Sequence, residues 1–191
     1  GLDTLMALDA NRGGHEGLER SALSGAARAL EMQKRSMTQR VRQRLFGVAA
    51  NYTATAAWSA LDARQPERAQ HHLGRALYLA GMAQDEVTEL RVWNAYAMLA
   101  HQQRDHEHAV GAAQAAQRVR ITRRDPLFAS LAHARTAIGY ANLGERQSAL
   151  RSLGYAQESL EKAPPQGQRP SWVAFYGHAE LSAMAAIVLH R

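Results

Sequence analysis

Three ladders of alanine, each with a step of 40 residues, constrain what this 191-residue chain can fold into. Ala57, Ala97 and Ala137 form the first, Ala69, Ala109 and Ala149 the second, and Ala76, Ala116 and Ala156 the third. Within each unit the spacing is the same, 12 residues and then 7. One coincidence would mean little in an alanine-rich chain, but three in phase define a repeat. Paired helices approach to about 8–10 Å, so side chains at the closest approach must be small. The pattern predicts helix pairs stacked as an all-α, right-handed solenoid, an architecture that recognises more often than it catalyses.

Local chemistry agrees. Five prolines and few β-branched residues beside abundant Ala, Leu, Gln, Arg and Glu favour helix. Helices are expected at 16–36, 39–63, 67–82, 86–103, 106–122, 127–142, 146–162 and 171–189. Pro66 and Pro126 suit first helical turns, where the missing N–H is harmless, and Asp125 suits an N-cap. Asn142-Leu143-Gly144-Glu145 reads as a helix end with a left-handed glycine cap. The chain thus divides into a divergent N-terminal helical segment (1–38), three helix pairs (39–162), a linker (163–170) containing Ala163-Pro164-Pro165-Gln166-Gly167, and a capping helix (171–191).

Without cysteine there is no disulfide, Cys-based zinc site or thiol nucleophile, which fits a reducing, cytoplasmic compartment. The net charge of +6 comes from arginine, with Lys34 and Lys162 the sole lysines; it reflects either codon bias or an acidic partner. Asp3, Asp9 and Arg12 interrupt the early apolar residues, so no signal peptide is expected, and no run is long enough to span a bilayer. Opening at Gly1, the chain reads as a mature or excised fragment.

Ala137, Tyr140, Gly144, Ala149, Leu153 and Ala156 resemble a tetratricopeptide unit. The other two units depart from that pattern, with Arg64 and Arg104 in place of the turn glycine and Ala60 and Ala100 in place of the aromatic. A wider resemblance runs from about residue 40 to the end. Arg44-Leu45-Phe46, Ala56-Ala57-Trp58, Ala69-Gln70-His71-His72-Leu73 with Ala76-Leu77, and Pro170-Ser171-Trp172-Val173-Ala174-Phe175-Tyr176 with His178-Ala179-Glu180-Leu181 are similar to the C-terminal tetratricopeptide-repeat region of actinobacterial (Streptomyces-type) helix-turn-helix transcriptional regulators. That resemblance implies a region sensing a peptide, small-molecule effector or protein partner, with DNA contacted through a domain not in this chain.

Tetratricopeptide likeness also implies which residues line a concave groove: Asn51, Trp58, Leu61 and Asp62 in the first unit, Arg91, Asn94, Met98 and His101 in the second, and Leu131, Arg135, Ile138 and Asn142 in the third. Asparagines can bond a ligand backbone, arginines can clamp a carboxylate, and Trp58 and Met98 add apolar contact. Trp58, Met98 and Ile138 also suit plain core packing. Trp93 and Trp172 read as packing residues, with Tyr176 joining Trp172.

Other constellations carry less. His106-Glu107-His108, with Asp105 and His101, is the best metal candidate, but positions two apart on a helix diverge by roughly 200°. His71-His72 fails likewise, so no metal or cofactor is expected. No P-loop, G-x-S-x-G or HExxH is present, and no enzyme is expected. Asp85, Glu86 and Glu89 fit the positive end of a helix. Two basic runs (Lys34, Arg35, Arg40, Arg42, Arg44 and Arg118, Arg120, Arg123, Arg124) lack the aromatics or recognition helix of a nucleic-acid reader, and read as solvated or capping. The first run also suits the neighbourhood of a dimer partner or an absent domain. Leu181, Met184, Ile187, Val188 and Leu189 make the last helix apolar for a free end, which points to a homodimer or to chain continuing past Arg191. The alternative function is a constitutive scaffold for protein–protein contact or dimerisation.

Overall fold

The computed structural model describes residues 15–165 and 169–191, so residues 1–14 of the N-terminal segment and 166–168 of the linker lie outside it. The described residues form α1 (His15–Gln33), α2 (Gln39–Asp62), α3 (Pro66–Ala83), α4 (Glu86–Gln102), α5 (His106–Arg118), α6 (Arg120–Arg124), α7 (Pro126–Asn142), α8 (Arg146–Glu161), a 3-10 turn (Ser171–Val173) and α9 (His178–Leu189). No helix among the described residues is long and apolar enough to cross a membrane.

The period of the sequence reappears in the backbone of the turns. Arg64, Arg104 and Gly144 take left-handed φ angles of 58°, 58° and 77°. The next residues, Gln65, Asp105 and Glu145, each donate a 2.9 Å bond to the carbonyls of Ala60, Ala100 and Tyr140. This is the Schellman closure, which satisfies carbonyls left over at a helix end. Two of these three caps hold the conformation with arginine rather than glycine, at a cost of roughly 1–2 kcal/mol each. Asp85 and Asp125 share the register too, accepting 3.0 Å bonds from the Thr88 and Leu127 amides at the starts of α4 and α7. All nine ladder alanines are buried, none more than 5% exposed.

The chain forms two compact units divided between Ala95 and Tyr96, within α4. In the first, α1 packs on α2 and α2 on α3. Ala26, Ala29, Ala49, Ala50, Leu79 and Ala80 form one core cluster there. Gly25 lies so close to the Tyr52 ring that a Cβ would sit 2.8 Å from it. Glu19 is buried and accepts 2.9 Å bonds from both Arg68 and His72, tying α1 to α3.

In the second unit α7 packs on α5 and α8, and α9 covers α7 and α8. The closest approach is at Gly139, where a Cβ would meet Val110 Cγ2 at 2.6 Å. Two expected helices are divided. The one at 106–122 breaks at Val119, which is extended (φ −60°, ψ 131°) and buried. Thr122 then donates its hydroxyl to the Ala116 carbonyl at 2.8 Å, an acceptor that a continuing helix would have used. The helix expected from 171 begins only at His178, because Gly177 is fully extended (φ −174°, ψ −162°). Before it, Trp172 stacks on Phe128 with centroids 5.8 Å apart, and the Tyr176 hydroxyl shares a 2.7 Å hydrogen bond with Ser130. Arg169 pairs with Asp125 and lies over the Phe128 ring.

Candidate functional site

Along α2, Arg40, Arg44, Val48 and Asn51 recur at helical spacing and so share one face. In the first unit this face borders an open cleft of about 750 Å³, completed by Tyr52 and by Asp85 from the turn between α3 and α4. The Gly25 contact holds the Tyr52 ring from behind. Arg40 and Arg44 are exposed, one turn apart, on a helix whose first turn has no acid. Positive charge from both side chains and the helix dipole therefore collects at one end of the cleft.

Asn51 links this surface to the interior. Its amide donates to the Gly47 carbonyl at 3.2 Å and to Asp85 Oδ2 at 3.4 Å. Its own carbonyl accepts from the Arg91 guanidinium at 3.3 Å and from the Thr55 hydroxyl at 3.0 Å. Arg91 also donates to Thr55 Oγ1 at 3.2 Å. Only 6% of Arg91 is exposed, and no carboxylate among the described residues pairs with it. Burial alone draws its guanidinium down to about 10. A buried cation whose described partners are two neutral acceptors is costly, and it is the arrangement an anionic ligand would relieve.

The other groove candidates of this unit stand elsewhere along α2 and α4. Asn94 is buried one helical turn beyond Arg91. Trp58 is half-buried on α2. Asp62 is exposed and lies 3.3 Å from His15 Nδ1, eleven residues or roughly 16 Å along α2 from Asn51. The cleft and Asp62 are therefore at separate places on the helix.

In the second unit His101 Nδ1 lies 3.4 Å from Asn142 Nδ2, and its ring centroid is 6.2 Å from that of His106. Burial holds the His101 imidazole below its ordinary value, and the charges of His106, Arg135 and Arg191 add to this. Arg135 is lowered by burial too, with Glu180 and Tyr176 opposing. Met98 is half-buried. The metal candidates point apart: His108 pairs with Asp105 at 2.7 Å, whereas His106 turns toward His101. Among the described residues no three His, Cys, Asp or Glu side chains are grouped to hold a metal.

Sequence reasoning did not assemble the cleft, although its stripe was readable. Arg40 and Arg44 belonged to a basic run, Asp85 to a helix start and Asn51 to a groove. Thr55, the second acceptor of Arg91, carried no signal of its own. Comparison with protein-family models, with curated proteins and with solved structures finds no match to the chain.

Proposed function

We propose that the chain is the effector-sensing region of a transcriptional regulator, a right-handed solenoid of tetratricopeptide-like pairs that reports to a DNA-binding domain outside these residues. The effector is a small acid or the acidic end of a peptide, taken into the cleft along α2. The observation that carries this reading is Arg91, buried behind Asn51 with no carboxylate partner among the described residues. A ligand carboxylate reaching it replaces neutral acceptors by a bidentate, charge-assisted pair. Asn51 ties the same place to Asp85, the N-cap of α4, so binding bears directly on how α4 starts. That is a physical route from occupancy to a change in helix geometry, and such a change is what a regulator must transmit.

The test is a thermal-shift screen against small carboxylic acids and short acidic peptides, repeated with Arg91→Met and Asp62→Asn. A stabiliser whose effect disappears with Arg91→Met and survives Asp62→Asn supports the reading. If nothing stabilises and the melting temperature rises with protein concentration, the constitutive scaffold replaces it.

A further inference from the structure

The charge of the chain is not spread evenly. Residues 28–48 hold Arg28, Lys34, Arg35, Arg40, Arg42 and Arg44 against the single acid Glu31, a net +5 of the chain's +6. The structure puts these residues on the last turns of α1, the connecting turn and the first two turns of α2. At 1.5 Å per residue, all six lie within roughly 8–9 Å of the hairpin end along the helix axes. Lys34 pairs with Glu31 at 2.9 Å, and Arg42 Nε donates to the Gln33 carbonyl at 3.2 Å. Arg28, Arg35, Arg40 and Arg44 are exposed, and no carboxylate among the described residues pairs with them. Elsewhere cations do find acids, as Arg68 does with Glu19 and Lys162 with Glu158.

Aliphatic side chains stand exposed among these cations. Met32 is 48% exposed, Val41 43% and Val48 45%. On α1 Arg28 and Met32 share one face, with Arg35 in the turn that follows; on α2 the order is Arg40 and Val41, Arg44, then Val48. Each stripe alternates charge with an apolar contact. Phosphate backbones use only the charge, and single-stranded nucleic acids stack on aromatics, which neither stripe offers.

We propose that the end of the α1–α2 hairpin is a docking surface for an acidic, amphipathic segment of a partner protein. Carboxylates of the segment meet Arg28, Arg35, Arg40 and Arg44, and its apolar side chains cover Met32 and Val41. Arg40, Arg44 and Val48 also line the cleft, but the proposal does not rest on the effector reading, because Met32, Lys34, Arg35 and Val41, the residues substituted in its test, do not.

The probe is a short labelled helical peptide with glutamates on one face and leucines on the other, followed by fluorescence anisotropy. Comparators are the same peptide with glutamine for glutamate, polyglutamate of equal length, and a duplex DNA. The acidic amphipathic peptide should bind at least about tenfold more tightly than either peptide control, and more weakly as salt rises. Lys34→Glu with Arg35→Glu should weaken it by about tenfold or more. Met32→Ser with Val41→Ser should weaken the amphipathic peptide and leave polyglutamate unchanged. All four substitutions are at exposed positions, and far-UV circular dichroism checks that the helices remain. Equal binding of the glutamine peptide, insensitivity to the charge reversals, tighter binding of the duplex than of the peptide, or no peptide binding would each overturn the proposal.

Discussion

Replacing Arg91 by methionine should stabilise the ligand-free protein while abolishing its response to an acidic ligand. Burial takes the guanidinium from its ordinary value to about 10. At about 1.4 kcal/mol per pH unit, that is a penalty of roughly 3 kcal/mol on the charged form. The two hydrogen bonds that offset it, at 3.2 and 3.3 Å, are long for charged donors. Methionine fills irregular space readily and removes the buried charge. It strands neither acceptor, because the Asn51 carbonyl still receives the Thr55 hydroxyl at 3.0 Å. The expected gain is roughly 1–2 kcal/mol, or about 2–8 °C in melting temperature for a chain of this size. The sign with pH follows from the direction of the shift. The fold disfavours the charged form, so the penalty is fully present below about pH 10 and is relieved only above it. The gain should therefore be flat across neutral pH. Urea unfolding followed by circular dichroism, with and without a stabilising acid, measures both effects. A loss of more than about 2 kcal/mol would refute the reasoning, since it would mean that Arg91 is already satisfied in the free protein.

The matched turns give a second expectation. Arg64→Gly and Arg104→Gly should be neutral to about 1 kcal/mol stabilising, since relief of roughly 1–2 kcal/mol of left-handed strain exceeds glycine's entropic cost. Gly144→Ala should cost about 1 kcal/mol, and the same sign for all three in denaturant titrations would contradict a shared cap. Gly139→Ala should cost roughly 1–3 kcal/mol, because its Cβ would meet Val110 at 2.6 Å. Gly111→Ala, on α5 with no neighbour within 4 Å, should instead stabilise by about 1 kcal/mol. Burial lowers both His101 and His133, so their NMR titration midpoints should lie below that of free histidine. The fold disfavours their charged forms, so melting temperature should fall as pH drops through about 6.5, and His101→Gln should reduce that fall.

The turns were legible because their chemistry is local. Asp125, Pro66 and Gly144 announce a cap, a first turn and a left-handed end whatever surrounds them, and the ladder alanines mark contacts too tight for anything larger. The break at Val119 had no such marker, since Arg118, Val119 and Arg120 read as helix and tertiary burial decides otherwise. Gly177 did carry a marker, but the aromatic run before it suggested a continuous cap. The cleft was illegible for a different reason. Its residues come from separate segments, and only the packing of α2 beside the turn after α3 puts Asp85 next to Asn51.

The repeat itself separates what packing requires from what it does not. Asn51, Arg91 and Leu131 occupy one position in three successive units, 40 residues apart. Leu131 is 1% exposed, so an aliphatic side chain satisfies that position fully in the third unit. Arg91 is nearly as buried, yet it brings a charge that its surroundings do not neutralise. Helix pairing cannot account for it, because the equivalent leucine pairs helices without the desolvation penalty. Arg91→Leu, which brings the third unit's own residue into the second, is therefore the sharper companion to Arg91→Met. If it preserves the fold and removes ligand response, the arginine is there for what it binds.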